Sequence, residues 1–507
     1  MTLSIDEVFQ EIGEFHKFQW LMLTIIGYTV FATGTFPVMI VTFITAEPNW
    51  QCVKGYNSSI CNFNESIGLT SKHYKDRCDM PREAWTYVEG FTSTVTEYDL
   101  VCDKSILQSV AQSCYWVGAL LGLLLGGYLS DKFGRRKIFI SGIVSVTLAT
   151  WIMIFPKSFE LFIICRVLIG IGSGLYYNNS FVLLAEFTTA KYRAKIGIYS
   201  FLFWIAGLLV LALIGFLVPD WRYFLLVTAC FAVPCLFISW FVPESMRWLQ
   251  LHGRHEIARK QLEKVAHLNG KEMPSKDFKI CENRAKTGSF KHLFSNWKLV
   301  KITLINWNIW FSNALVYYGA SYISVDIGGS RYLNFALTSL VELPSNLLCI
   351  VTANKFGRKK TVVVSLIMAF IASIISVLIP GNTGARIILA LLAKFFINMS
   401  FSGIYIWSTE MFPTCIRTMS LGSSSGAGRF GSFAASYIVW LIRVHRILPF
   451  GIMGIICLQA AILAIFLPET KGKPTSEILD DMLQLSTKKV QSDNLIDKTD
   501  FNADNSE

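Results

Sequence analysis

Long apolar runs dominate this chain and limit what it can fold into. They lie near 20–44, 106–129, 138–155, 159–182, 196–217, 222–242, 300–321, 332–353, 361–380, 386–409, 418–441 and 447–467. The lipid interior offers the backbone no hydrogen-bond partner, so a chain that crosses it forms helices of roughly 20 apolar residues. The runs therefore predict an all-α membrane protein with twelve transmembrane helices.

Composition and charge agree with a membrane protein. Only 16% of the 507 residues are charged, against roughly a quarter in soluble domains. The formal net charge of +11 does not indicate a nucleic-acid partner, because the positive charge is concentrated in loops 131–137 and 355–360 and in segment 244–301. The positive-inside rule places these loops in the cytoplasm. We therefore expect a multi-pass protein of the plasma membrane with both termini cytoplasmic. Arg443 and Arg446 are exceptions to the positive-inside rule, because this topology places them outside.

The segment 45–104 is then extracellular. Its four cysteines, Cys52, Cys61, Cys78 and Cys102, should form two disulfides there, and their three possible pairings stay open. Asn57 and Asn64 begin glycosylation sequons.

The short segment before the first run has an apolar face. Ile5, Val8, Ile12 and Phe15 recur at helical spacing. The segment is expected to lie along the cytoplasmic membrane surface or to form a short solvated helix, and the residues do not decide between the two.

Three short motifs recur at nearly one offset. The loop motif at 131–137 returns 223 residues later at 354–360, the Glu186 and Arg193 pair returns 224 later as Glu410 and Arg417, and Pro243-Glu-Ser returns 225 later as Pro468-Glu-Thr. The chain is therefore expected to contain two six-helix repeats, as in rocker-type carriers. We expect an N-terminal half (1–243), a cytoplasmic linker (244–298), a C-terminal half (299–469) and a disordered cytoplasmic tail (470–507).

These motifs resemble known transporters. The residues 127–136 and 166–170 are similar to the two signature motifs of the major facilitator superfamily. The chain more narrowly resembles the organic ion transporters of solute carrier family 22, especially the carnitine, zwitterion and organic cation branch. The segments that carry this resemblance are the cysteine-bearing loop and residues 94–102, 243–249, 341–344 and 408–417.

The resemblance implies a gating network that latches the two halves together in an outward-open state. Its members would be Gly127, Asp131, Gly134, Arg135, Arg136, Arg166, Glu186, Arg193, Glu244, Arg358, Glu410 and Arg417. The positive-inside rule alone would explain the basic residues of this set, but it does not explain the repeated acids Glu186 and Glu410. Asn354 replaces the acid of the second loop motif and Ile350 replaces its glycine, so the second gate is expected to be looser.

Arg429 lies near the middle of the eleventh span, where a charge is costly by roughly 3 kcal/mol. Its planar guanidinium can bind a substrate carboxylate, or it can form a structural ion pair between spans. The resemblance implies an arginine here in anion and carnitine carriers and an acid in cation carriers. Arg429 therefore argues against a carrier of simple cations.

Two further charges interrupt later spans. Glu342 would attract a cationic group or carry a coupling proton, or it would be a packing residue paired with a neighbour such as Arg429. Lys394 is a candidate for the substrate site, but snorkelling towards the outer surface is the favoured alternative for it.

Aromatic side chains complete the predicted substrate site. Trp310 and Tyr317 are seven residues apart and share a helical face. With Tyr318 and Tyr177 they would hold an ammonium group by cation–π attraction, although aromatics in spans more often only pack.

The pattern as a whole favours secondary active or facilitative transport of small organic zwitterions or cations by alternating access. An organic anion carrier is the alternative, and a sugar carrier is less well supported. We expect no enzymatic activity, cofactor, metal site or nucleic-acid partner. The expected partners are an organic ion, the lipid bilayer and a coupling ion, Na⁺ or H⁺, left undecided.

Overall fold

The computed structural model describes residues 5–53, 66–69, 71–88, 90–189, 191–273, 290–379, 383–412, 414–445 and 447–472. Cys61, Asn57, Asn64, Arg446 and most of the predicted tail lie outside these residues. The described helices are α1 Ile5–Ile12, α2 Lys17–Thr29, α3 Phe36–Met39, α4 Val41–Ile44, α5 Thr94–Tyr98, α6 Ile106–Phe133, α7 Arg135–Ile152, α8 Phe159–Glu186, α9 Arg193–Leu217, α10 Trp221–Ile238, α11 Met246–Leu251, α12 His255–Asn269, α13 Trp297–Ile323, α14 Arg331–Leu340, α15 Glu342–Phe356, α16 Arg358–Leu378, α17 Thr383–Met411, α18 Thr414–Trp440 and α19 Leu448–Ile465.

Every predicted span coincides with a helix or with a run of consecutive helical segments, as the prediction of an all-α membrane protein requires. Nine spans in the described part of the chain are long and apolar enough to cross a membrane by length and composition. The other three predicted spans are α7, α13 and α18. The basic residues Arg135, Arg136 and Lys137 lower the mean hydropathy of α7, whereas polar residues such as Asn306 and Ser424, which are buried inside the protein, lower that of α13 and α18.

Two spans are interrupted near their middle. The first span, Lys17–Ile44, contains the π-helical turn Val30–Thr35 between α2 and α3. The span Arg331–Phe356 is divided at Val341 into α14 and α15. Pro344 lacks an N–H and so cannot bond to the carbonyl one turn earlier. This break places Glu342 at the first position of α15, in the middle of the span.

Helices α6 and α8 touch along their backbones. A side-chain carbon added at Gly118 or Gly122 would meet backbone atoms of α8, and one added at Gly170 or Gly174 would meet backbone atoms of α6. Two small residues four positions apart on each helix allow this close approach, which in lipid supplies the packing energy. Most substitutions at these glycines would separate the helices.

The two ends of the bundle, the loop end and the linker end, carry different segments of the chain. The loop end carries segment 45–104, in which β1 (Trp50–Cys52) pairs antiparallel with β2 (Trp85–Tyr87) and Cys78 is disulfide-bonded to Cys102. Cys52 is disulfide-bonded as well. The linker end carries α11 and α12.

The described polar contacts between the halves lie at the loop end and in the middle of the bundle. At the loop end, Trp440 Nε1 donates to Ser105 Oγ over 3.3 Å and Ser109 Oγ donates to the carbonyl of Ser436 over 3.0 Å. Tyr332 stacks on Phe43 with ring centroids 5.6 Å apart. These contacts close the loop end in this conformation.

The N-terminal helix α1 packs on protein rather than on the membrane surface. Its apolar face is buried, and α1 contacts the linker helix α12. Asn269 at the end of α12 donates to the carbonyl of Ile12 over 3.0 Å and accepts from the N–H of Phe18 over 2.9 Å. Asp6 is paired with Arg247 at 2.7 Å. Both expectations for this segment are therefore wrong, because the linker covers its apolar face.

Candidate substrate site and gating clusters

Arg429 lies near the middle of α18 and faces the opposite half. Its guanidinium carbon is 5.5 Å from the ring centre of Trp116 in α6 and 5.9 Å from that of Tyr177 in α8. Both distances allow cation–π attraction. The guanidinium of Arg429, in the C-terminal half, thus contacts aromatic rings of the N-terminal half.

No acidic side chain of the described residues forms an ion pair with Arg429, whose Nε is buried without a hydrogen-bond partner. Aromatic faces compensate a buried cation only in part, whereas a carboxylate offers two acceptors that match the guanidinium fork. The arrangement therefore leaves Arg429 able to accept an anionic group from a bound molecule. The pairing of Arg429 with Glu342, one of the alternatives for these charges, is not formed.

Glu342 is paired with Lys394 instead. The two charged atoms are 3.1 Å apart, and the side chains are only 2% and 1% exposed. Lys394 also donates to Ser321 Oγ over 2.6 Å and lies 3.2 Å from the ring centre of Tyr317. The Tyr317 hydroxyl donates to the Glu342 carboxylate over 2.7 Å and accepts from Trp204 Nε1 over 3.1 Å.

This burial corrects the favoured expectation for Lys394. A snorkelling lysine would expose its ammonium group at the membrane surface, but Lys394 points into the protein because the Glu342 carboxylate and the Tyr317 ring both attract it. Trp204 belongs to α9 of the N-terminal half, so this network also joins the two halves.

The predicted aromatic residues divide into two groups. Trp310 and Tyr317 share a face, since both rings contact Phe401, at 5.8 and 5.6 Å. The Tyr318 ring lies 5.1 Å from that of Tyr317 and also meets Trp116 at 4.5 Å, and Trp116 contacts Arg429. Tyr177 is 37% exposed, the largest exposure among the four predicted aromatic residues.

Sequence reasoning missed Trp116 and Tyr405. Trp116 contacts Arg429 and also donates from Nε1 to the hydroxyl of Tyr322 over 3.1 Å. Tyr405 packs on Trp310 with ring centroids 4.4 Å apart. A tryptophan at the centre of an apolar run is a weak signal for Trp116; no sequence pattern singles out Tyr405.

The predicted gating residues at the linker end of the N-terminal half come together. Arg135 Nε donates to Glu186 over 3.0 Å, and Arg135 Nη1 donates to Asp131 over 3.0 Å. Glu244 accepts from the backbone N–H of Arg136 over 3.0 Å. Gly134 has a φ of 108°, which favours glycine, and a side chain there would meet Glu244. These contacts all lie within one half.

The C-terminal half repeats this cluster. Arg358 donates to Glu410 over 2.9 Å, and Glu469 accepts from the backbone N–H groups of Arg358 and Lys359 over 3.0 and 3.2 Å. Burial raises the pKa of Glu469, but backbone N–H donors outweigh this and the net pKa is lowered. Glu469 was missed as a site residue, although it lies 225 positions after Glu244. The two clusters differ at one contact: Arg135 donates to the Asp131 carboxylate, whereas Arg358 donates to the backbone carbonyl of Ala353 over 3.3 Å.

The remaining predicted gating residues lie apart from these clusters. Arg166 and Glu186 are both in α8 but 20 residues apart, roughly 30 Å along the helix. Arg166 is fully buried near the loop end, where its Nη1 donates to the carbonyl of Pro37 over 2.7 Å. Gly127 has open space around it, and Arg417 has a buried Nε without a partner. The side chain of Arg193 lies outside the described residues.

Comparisons with known proteins agree with this arrangement. A family model described as "Sugar (and other) transporter" matches residues 20–481. "Solute carrier family 22 member 15" of Xenopus tropicalis is 30% identical over 505 residues, covering 97% of this chain and 93% of the relative. "Organic cation/carnitine transporter 2" of Homo sapiens is 28% identical over 527 residues, covering 95% of this chain and 94% of the relative.

Solved structures show the same fold. The partially occluded inward-open conformation of the xylose transporter XylE from E. coli superposes with a TM-score of 0.63 at 19% identity, covering 90% of this chain and 99% of the other. The inward-open conformation of the same transporter gives 0.61 at 18% identity, with 92% and 99% coverage.

Proposed function

This chain belongs to the major facilitator superfamily and, within it, to solute carrier family 22, and from that premise we propose that it carries small organic zwitterions of the carnitine or betaine type by alternating access. Arg429 is the observation that carries the proposal. It is a guanidinium in the middle of the bundle, and the described residues offer it no carboxylate.

The charge balance of the middle of the C-terminal half supports a substrate with a negative group. Arg429 and Lys394 contribute two positive charges and Glu342 one negative charge. Lys394 and Glu342 neutralise each other at 3.1 Å, so one positive charge is left over. An unpaired charge in a low-dielectric site is strongly unfavourable. A substrate carboxylate beside Arg429 would remove that penalty, whereas a simple cation would add to it.

The ammonium group of a zwitterion needs a different partner. The Glu342 carboxylate already binds Lys394, so we propose that aromatic faces take the larger share of this role. Tyr177 lies 5.9 Å from Arg429, and Tyr318 packs on Trp116, which also contacts Arg429. Each tyrosine offers a π surface that attracts quaternary ammonium groups. A carboxylate on Arg429 would bring the ammonium of a short betaine within reach of these rings.

An organic anion carrier is the second candidate, because the leftover positive charge alone suits a plain carboxylate. Organic cations, which the human relative's name includes, suit the leftover positive charge least. A sugar would leave Arg429 without a charged partner.

The proposal includes an orientation. The basic loops are at the linker end, so we place that end in the cytoplasm and the loop end, with its disulfide, outside. In this orientation the conformation described here is closed to the outside. The predicted gating clusters at the cytoplasmic end would then join the two halves only when the protein opens outward.

Uptake of a labelled panel tests the proposal. Carnitine, glycine betaine, p-aminohippurate, tetraethylammonium and glucose would be offered to cells that express the chain or Arg429→Ala. We expect uptake of at least one carboxylate-bearing zwitterion, and its loss in Arg429→Ala. Lys301→Ala is a matched control, since this basic residue lies at the linker-end start of α13. Carboxylate uptake that survives Arg429→Ala at equal surface expression would overturn the proposed role of Arg429.

A further inference from the structure

A buried carboxylate at the loop end binds residues from three parts of the chain. Glu47 follows α4 at the end of the first span. It accepts hydrogen bonds from the Tyr74 hydroxyl over 2.9 Å and from Gln108 over 3.5 Å, and it forms ion pairs with Arg77 and Arg443. Tyr74 and Arg77 belong to segment 45–104 and Gln108 to α6. Arg443 belongs to the opposite half.

Arg443 is one of the two basic residues that the positive-inside rule does not explain. Its guanidinium lies 3.4 Å from Glu47, and it also donates to Gln108. A cation at this end of α18 therefore has a local partner, but that partner is in the N-terminal half. The contact crosses the interface that Ser105, Ser109, Ser436 and Trp440 close beside it.

Each member of this ion pair has an oppositely charged neighbour within its own half. Glu47 keeps Arg77, a fully buried residue of segment 45–104. Arg443 and Asp326 follow α18 and α13, two helices of the C-terminal half that pack against each other, and the negative charge of Asp326 acts on Arg443 without a direct ion pair between them in this conformation. Burial raises the pKa of Asp326, and the positive charges of Arg443 and Arg331 oppose that rise. Separating the halves would thus leave Glu47 paired with Arg77 and would leave Asp326 as the acidic neighbour of Arg443 within its own half.

We propose that Glu47 and Arg443 form the loop-end gate of the transport cycle and that Arg443 exchanges Glu47 for Asp326 when the gate opens. Breaking a buried ion pair is strongly unfavourable when one charge is left alone. A partner in each half removes that barrier and makes the closed and open arrangements comparable in free energy. Two discrete arrangements of this kind are what a switching element requires.

The experiment measures how often the loop end opens. Ser109→Cys places a thiol at the closed interface, where Ser109 is buried, and its rate of maleimide labelling reports opening. Labelling is done on purified full-length protein, where both faces are accessible, so the result does not depend on orientation or substrate. Each variant is compared with the same variant lacking Ser109→Cys, because Cys230 and other free thiols are present.

The proposed exchange of partners predicts that Arg443→Gln and Asp326→Asn change the labelling rate in opposite directions. Arg443→Gln weakens the closed arrangement and should raise the labelling rate about tenfold, equivalent to about 1.4 kcal/mol. Asp326→Asn removes the partner of the open arrangement and should lower the rate. Arg443→Lys keeps the charge and should stay close to the parent. Arg82→Gln is the matched control, since the Arg82–Asp99 pair at 3.1 Å is exposed and lies within one half.

General destabilisation would raise labelling in every variant, so the fall in Asp326→Asn separates the gate from a folding defect. An unchanged rate in Arg443→Gln would show that the pair does not hold the loop end closed. A raised rate in Asp326→Asn would show that no partner exchange occurs. Either result overturns the proposal and leaves the proposed substrate untouched.

Discussion

The ammonium nitrogen of Lys394 lies 3.1 Å from a carboxylate oxygen of Glu342, and both side chains are almost completely buried. This contact joins α17 to α15. Removing one member leaves the other charge buried without its partner, which typically costs about 3–5 kcal/mol. We expect Glu342→Gln and Lys394→Met each to lower the thermal stability of the purified protein. The double variant should recover much of the loss, because neither charge remains.

Substrate selectivity in the same variants separates a structural pair from a binding site. If the pair is structural, uptake per folded molecule should change alike for zwitterions and plain anions. If Glu342 binds the cationic group, Glu342→Gln should reduce uptake of ammonium-bearing substrates more than that of plain anions. A fully stable Glu342→Gln variant would contradict the structural role.

Substitutions of Arg429 should reduce carboxylate transport to different extents, depending on whether the new side chain keeps the positive charge and the planar shape. Arg429→Ala removes both, with an expected loss of affinity of roughly 30-fold or more, equivalent to about 2 kcal/mol. Arg429→Lys keeps a charge but lacks the planar fork, so it should restore transport only in part. Concentration-dependent uptake of a carboxylate substrate measures both. Full activity of the lysine variant would argue against bidentate binding.

Trp116 should tune the affinity of Arg429 for a carboxylate. Trp116→Phe keeps an aromatic ring beside Arg429 and Tyr318 but loses the hydrogen bond to Tyr322. Trp116→Leu loses both the ring and the hydrogen bond. We expect a several-fold change in the KM for carboxylate substrates in the leucine variant and a smaller one in the phenylalanine variant. Equal effects would assign the role of Trp116 to the hydrogen bond alone.

The linker-end clusters should stabilise the outward-open state. Glu186→Gln is expected to weaken that state more than Asp131→Asn, because the Glu186 side chain is 16% exposed and the Asp131 side chain 71%. An exposed ion pair contributes only about 0.2–1 kcal/mol. Labelling of the Ser109→Cys thiol from the loop end measures the population. Unchanged labelling together with normal uptake in Glu186→Gln would count against a latch.

Segment 45–104 should carry glycans and two disulfides in a eukaryotic host. Glycosidase treatment should lower the apparent mass, and Asn57→Gln with Asn64→Gln should abolish that change. Thiol alkylation before and after reduction should reveal four additional cysteines, with the Cys78–Cys102 pair among them. A protein without any mass change would place the loop inside the cell and reverse the orientation.

The spans and the members of the linker-end clusters can be identified from the sequence, because hydropathy and short repeated motifs are local signals. Hydropathy is summed over consecutive residues, so α7, α13 and α18 are predicted as spans even though basic residues at the start of α7 and buried polar residues in α13 and α18 lower their hydropathy. The repeat makes residues 131–137 and Glu186 equivalent to residues 354–360 and Glu410, and the structure pairs Arg135 with Glu186 and Arg358 with Glu410. It also contained the signal for Glu469, whose counterpart is Glu244.

The partners of the buried charges depended on tertiary structure. Sequence identified Arg429, Glu342 and Lys394 as mid-span charges, but their pairing depends on how α13, α15, α17 and α18 rotate and cross. Residues 52 positions apart, such as Glu342 and Lys394, have no sequence pattern that fixes their distance. The same holds for Glu47 and Arg443, which meet only because the two halves close at the loop end. Hydrophobicity decides that a helix enters the membrane, whereas packing decides which of its faces meets which neighbour.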